Sequence, residues 1–294
     1  MRPNLWYHII GKINYDRFHM RHKIYCSTGC LLSRANNRDW RLLEGWHEKI
    51  RCDGFEFLFL DTFEGHYAEI ADNFKRIGIK IPAVHLDKDI GTLLSDGEEE
   101  RALDMLKREC ELSSELGASL AVLHLWGGIT SDSRFYDRNK KACRRIADIT
   151  GGFGITAAIE NVPCSAEDPL SHWKTVNEAE PRLKFIFDTR FAALHGQLYD
   201  SAASGLAGIG DVVHMHISDF TGPRMSFRAL RPILHPGEGI IDFPRFFSLL
   251  GGRYGGSVTL ESPVIDAEGG VDLGKLNKTL EYIRNNIDKR DTEV

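Results

Sequence analysis

The stretch EEERALDMLKRECELSSELGASLAVLHL, residues 98–125, contains both halves of the unit from which this chain is built. Leu103, Leu106 and Cys110 keep the three-and-four spacing of an amphipathic helix, and Leu112 and Leu116 extend its apolar side. Gly117 follows as a C-cap, because a residue without Cβ enters the left-handed conformation that ends a helix at little steric cost. The run from Ala118 to Leu125 is then almost continuously apolar. That is the pattern of a parallel strand covered on both faces.

The same alternation recurs along the chain. Apolar runs occur at 23–28 (KIYCST), 54–61 (GFEFLFLD), 79–86 (IKIPAVHL), 118–125, 155–162 (ITAAIENV), 183–190 (LKFIFDTR), 211–219 (DVVHMHISD) and 256–262 (GSVTLES). Helical spacing predicts helices near 38–50, 66–77, 98–116, 134–149, 169–179, 196–208, 243–251 and 272–287. Alternating strand and helix means parallel pairing, and eight units predict a closed α/β (β/α)8 TIM barrel. An open doubly wound sheet would share the alternation, but no Gly-x-Gly-x-x-Gly turn follows the first strand. Residues 1–22 match neither pattern and read as an N-terminal extension, with Met20 as an alternative start, before one barrel domain at 23–294.

Composition narrows the function. The chain has 294 residues, 42% hydrophobic and 27% charged, with a formal charge of -5. Lys and Arg are spread along its length, so no basic stripe points to nucleic acid. No apolar stretch approaches the roughly 20 residues that cross a bilayer, so no membrane span is expected. The six cysteines form no Cys-x-x-Cys pair and the N-terminus has no apolar leader, which fits a cytoplasmic protein with reduced thiols. The oligomeric state is left open.

Charged and imidazole residues stand at the C-terminal ends of these apolar strands, where barrel enzymes place their chemistry. They are His85, His124, Glu160, Asp188, His214, His216 and Glu261, drawn from six strands. Side chains alternate across a strand, so Ser257, Thr259 and Glu261 share one face, as do His214, His216 and Ser218. Val258, Leu260, Met215 and Ile217 take the opposite face, toward the outer helices. The same rule pairs Ala158 with Glu160 and Ile186 with Asp188. Alone, each His reads as a hydrogen-bonded core residue and each Glu as a surface partner of Lys. Together, three carboxylates converging on one mouth would repel one another unless a cation neutralised them. Glu160, Asp188, His216 and Glu261 are therefore the expected ligands of one divalent metal ion. An oxygen-rich set with one imidazole suits Mn²⁺ or Mg²⁺, with Co²⁺ or Zn²⁺ as alternatives. Pro163 and Pro263 stop their strands just beyond the two Glu residues.

The segments AIENVP (158–163), FDTR (187–190), HMHISD (214–219), PGEGIID (236–242) and TLESP (259–263), in this order, resemble the xylose isomerase-like barrels over about residues 23–287. That superfamily includes sugar isomerases and epimerases, inosose dehydratases and endonuclease IV. The resemblance implies the same four metal ligands and makes Glu160 and Glu261 the acid/base pair that moves a proton beside a carbonyl. It implies a small polyhydroxylated substrate, a sugar, sugar phosphate or inosose, with His85, His124 and Arg190 as substrate-binding residues. A dehydratase on the same site is the alternative. A phosphodiesterase like endonuclease IV is disfavoured, because Phe191, Arg231 and Ile233 stand where that enzyme has further metal ligands. A barrel that binds without turnover is disfavoured by the complete ligand set. Specificity is expected in the loops 87–97, 126–134 and 220–241.

Overall fold

A computed structural model describes residues 21–127, 134–163, 169–206 and 211–287. Eight parallel strands follow one another around a closed barrel in sequence order. They are β1 (Ile24–Ser27), β2 (Gly54–Leu58), β3 (Ala83–His85), β4 (Leu120–Leu123), β5 (Thr156–Glu160), β6 (Lys184–Asp188), β7 (Val212–Ile217) and β8 (Ser257–Leu260). Each lies inside its expected run, and β8 returns to β1 through the pairs Ile24 with Val258 and Cys26 with Leu260. Around them stand α1 (Leu43–Trp46), α2 (Tyr67–Ile77), α3 (Asp89–Asp96), α4 (Glu99–Glu115), α5 (Arg134–Gly152), α6 (Pro169–Ala179), α7 (Thr189–His195), α8 (Leu198–Ala203), α9 (Phe243–Leu250) and α10 (Leu273–Ile287).

Alternation along each strand divides two cores. Outward residues join the large cluster under the helices, where Trp173 stacks on Phe185 at 4.9 Å and Phe187 on Phe246 at 6.3 Å. Each such ring contributes roughly 2–3 kcal/mol by leaving water. Inward residues Val122, Ala158 and Ile186 form a separate apolar cluster inside the barrel. The rest of the interior near β2, β7 and β8 is polar, with Glu56, His214 and Thr259 fully buried.

Three expectations are corrected. The region 38–50 is not one helix but a series of 3-10 turns around the four-residue α1. Asn37 and Arg38 are left-handed, with φ of 57° and 53°, and Gly45, Trp40 and Trp46 are weak helix formers. The segment 87–97, expected as a loop, carries α3 with Gly97 as its left-handed cap. A Cβ on Gly91 would stand 2.4 Å from the carbonyl oxygen of His124, so this glycine lets α3 lie against the end of β4. The helix expected at 196–208 starts earlier, at Thr189, and Gly196 (φ 70°) splits it into α7 and α8.

Residues 1–20 lie outside the described residues, as do parts of the loop 126–134. His22 stacks on Tyr254 at 5.6 Å and its Nε2 lies 2.9 Å from the Tyr254 carbonyl oxygen, so contact with the barrel begins before residue 23. Among the described residues no helix is long and apolar enough to cross a membrane.

Candidate metal centre

The strand ends deliver the expected residues to one place. Asp188 on β6 is in register with His216 on β7, and His216 with Thr259 on β8, while Glu261 follows β8 with its N–H donating to Ile217 O at 3.1 Å. One side-chain ligand atom from each of Glu160, Asp188, His216 and Glu261 lies within 4.8 Å of the others. β5 and β8 stand apart in the ring, yet their two carboxylates converge. His216 Nδ1 is 2.9 Å from Glu160 Oε1 and 3.2 Å from Glu261 Oε1.

Local chemistry aims these groups. Asp188 is the N-cap of α7, and its Oδ1 accepts the Phe191 N–H at 2.7 Å. Asp188 Oδ2 is buried without a hydrogen-bond partner. Glu160 Oε2 is also buried without an aligned donor, although His124 Nε2 is 2.6 Å away and His85 Nε2 is 3.6 Å away. Asn161, next to Glu160, ties β5 to β6, accepting the Asp188 N–H at 2.7 Å and donating to its carbonyl at 3.2 Å. Buried carboxylate oxygens without donors, beside a third acid, fit a divalent cation.

The electrostatics agree. Burial raises the Asp188 carboxyl to about 7, Arg190 opposes this, and Glu160 and Glu261 add to the rise. Burial would also raise Glu160, but the charge of His216 and the approach of His124 and His85 hold it well below the usual carboxylate range. For His85, burial disfavours the imidazolium, yet Glu160 outweighs it and lifts the group to about 9.

A cavity of about 620 Å³ opens above this cluster, lined by His85, His124, Glu160, Arg190 and Glu261 among others. All three expected substrate-binding residues therefore reach it. Arg190 is held rather than free: Nε donates to Ser218 Oγ at 3.2 Å, Nη1 to Leu230 O at 3.0 Å, and its guanidinium lies over the Phe191 ring. Phe191, Arg231 and Ile233 line the same cavity with no metal-binding atoms.

Asp219 and Glu56 are buried acids of the barrel mouth and interior that the sequence reading did not single out. Asp219 accepts the N–H groups of Gly237 and Gly239 at 2.9 Å through Oδ2 and that of Ile241 at 3.0 Å through Oδ1, folding the PGEGI turn over the rim. A Cβ on Gly239 would stand 2.4 Å from Asp219 Oδ1, which explains the glycine. Glu56 lies inside the barrel against His214 and His216. Its signal was present: it stands between Phe55 and Phe57, which with Phe59 face the helices, so alternation turns this acid inward.

Fold and site together define a (β/α)8 barrel with a carboxylate-rich cluster at the C-terminal mouth. The family model described as xylose isomerase-like TIM barrel matches residues 47–285, and the chain belongs to that family. No curated protein matches the sequence. Among solved structures, the IolI protein with a bound zinc atom is 17% identical, with TM-score 0.70, covering 92% of this chain and 100% of its own. D-allulose 3-epimerase from Methylomonas sp. in complex with D-allulose is 17% identical, with TM-score 0.66 and coverage of 90% and 97%. The 3-keto-D-glucoside 4-epimerase of E. coli is 18% identical, with TM-score 0.60 and coverage of 90% and 99%. At these identities the likeness is one of fold.

Proposed function

We propose that this chain is a metal-dependent isomerase or epimerase of a sugar or sugar phosphate. The observation that carries the reading is the meeting of Glu160, Asp188, His216 and Glu261 under a cavity large enough for a small polyol. A divalent cation held by these four residues, Mn²⁺ or Mg²⁺ first and Zn²⁺ or Co²⁺ next, would polarise a substrate carbonyl and stabilise the enediolate. Family membership and the epimerases among the structural neighbours support the reading.

Glu160 and Glu261 perform the proton transfer. They come from β5 and β8, so one carboxylate removes the proton beside the carbonyl and the other returns a proton from its own side. His85 and His124, beside Glu160, orient hydroxyls. Arg190, fixed by Ser218 and Leu230, presents a rigid cation, and with the exposed Arg34 and Arg231 on the same cavity it suits a phosphate.

A dehydratase begins with the same proton abstraction. His124, beside Glu160 on the cavity wall, would then protonate the departing hydroxyl, which keeps this second reading. One experiment tests both. Ketoses, their phosphates and inososes are incubated with the protein and Mn²⁺ in deuterated water and followed by NMR. Deuterium at the reacting carbon of an isomerised product supports the isomerase, and a dehydrated product the lyase. No turnover of any of these with metal bound would count against both.

A further inference from the structure

Glu56 is a fully buried acid at the centre of a barrel strand, where an apolar residue of similar size would fill the space without a desolvation penalty. It is tolerated because donors converge on Oε2, while Oε1 is close to His216 but has no aligned donor. Thr259 Oγ1 donates to Oε2 at 3.0 Å, His214 Nε2 lies 2.9 Å from Oε2, and His216 Nε2 lies 3.0 Å from Oε1 and 3.2 Å from Oε2. His214 is held from its other side by Ser257 Oγ, 2.6 Å from Nδ1. Glu56, on β2, is thereby held by β7 and β8, on the side of the His216 ring away from the candidate metal cluster.

His216 thus has carboxylates at both ring nitrogens. Nδ1 faces Glu160 and Glu261, whereas Nε2 faces Glu56. A neutral imidazole has one N–H and one lone pair. With the hydrogen on Nδ1, the N–H would occupy the direction of the cation, and the Nε2 lone pair would meet the lone pairs of Glu56. With the hydrogen on Nε2, it points at Glu56 and the Nδ1 lone pair points at the cluster. Carboxylate, histidine and metal in series is a general way to orient a ligating imidazole.

We propose that Glu56 is a positioning residue that sets the tautomer of His216, accepting Nε2–H so that Nδ1 is the nitrogen offered to the cation. The proposal rests on the metal-centre reading above. It also assigns the neighbouring group of Glu56, His214 and His216, whose ligand atoms lie within 4.8 Å of one another, to hydrogen bonding and not to a second ion.

The test uses the full-length chain, stripped with a chelator and titrated with Zn²⁺ and with Mn²⁺ by calorimetry, as wild type and as Glu56→Gln. Gln keeps the shape, but its amide can turn an N–H toward Nε2 and release the tautomer. The expected result is one ion per wild-type chain and an affinity 10- to 100-fold weaker in the variant, about the usual cost of losing such a partner. In parallel, ¹⁵N NMR of wild-type protein loaded with Zn²⁺ should show His216 protonated at Nε2 and coordinated through Nδ1. That measurement needs no variant and decides the matter even where Glu56→Gln does not fold. Binding within about twofold of wild type by folded Glu56→Gln, coordination through Nε2, or two ions per chain would overturn the role of Glu56 alone. A wild-type chain that binds neither metal would overturn the metal-centre reading and this proposal with it.

Discussion

His216 Nδ1 lies 2.9 Å from Glu160 Oε1, although their strands β7 and β5 are separated in the barrel by β6. Asp188, on that intervening strand, stands in register with His216. Three adjacent strands thus bring their last inward residues to one point, and Glu261 closes the set from β8.

Metal binding should release protons. The Asp188 carboxyl is raised to about 7 by burial, against the pull of Arg190 and with the push of Glu160 and Glu261. A cation ionises it. Between its ordinary value of 3.8 and about 7 the metal-free fold keeps a proton there that the loaded fold gives up. Affinity should therefore rise with pH up to about 7. Calorimetry at pH 6 in buffers of different ionisation enthalpy checks this: Zn²⁺ binding should release protons, and Asp188→Asn should both release fewer and bind more weakly.

Proton transfer predicts a kinetic effect separable from ligation. Glu160→Gln and Glu261→Gln, assayed at saturating Mn²⁺ on the substrate found in the screen, should each lower kcat by about 10²- to 10⁴-fold. Deuterium uptake from solvent should fall in step. A variant with full metal occupancy and a near-normal rate would leave that residue as a ligand only.

Glu109 on α4 predicts a pH-dependent stability. Burial raises its carboxyl to about 8, opposed by the Asp87 N–H, which donates to Oε2 at 2.9 Å, while Oε1 has no partner. The folded state holds this proton more tightly than the unfolded chain, so the stabilisation is complete below 4.5 and is lost as pH rises toward about 8. Glu109→Gln, which stays neutral, should match wild type near pH 4.5 and unfold at a higher temperature than wild type at pH 8. Parallel melting curves across this range measure it.

Removal of residues 1–19, so that the chain begins at Met20, should leave folding and activity intact. Removal through His22 should cost about 1 kcal/mol, the order of an aromatic pair, because His22 stacks on Tyr254. Urea denaturation of the two truncations distinguishes them. Loss of soluble protein in the first would show that the extension is part of the fold.

The barrel itself was legible in the chain: unbroken apolar strands such as ASLAVLHL and helical periods between them permit few closed arrangements. So was the outline of the site, because alternation alone turns Glu160, Asp188, His216 and Glu261 inward while Ile159, Phe187, Met215 and Leu260 face the helices. Local pattern has a period but no partner, and there it ended. It could not show that Gly91 lets α3 press against β4, that Asp188 spends one oxygen capping α7 and keeps the other free, or that Asp219 gathers the N–H groups of a turn eighteen to twenty-two residues further along. Nor could it find the charge of Glu56 useful. An acid among phenylalanines reads as an exception until barrel closure brings β2 across to β7 and β8, where two imidazoles and a hydroxyl offset the cost of burying it. Residue type and spacing decide which way a side chain points, whereas its partner depends on distances that exist only after the ring has closed.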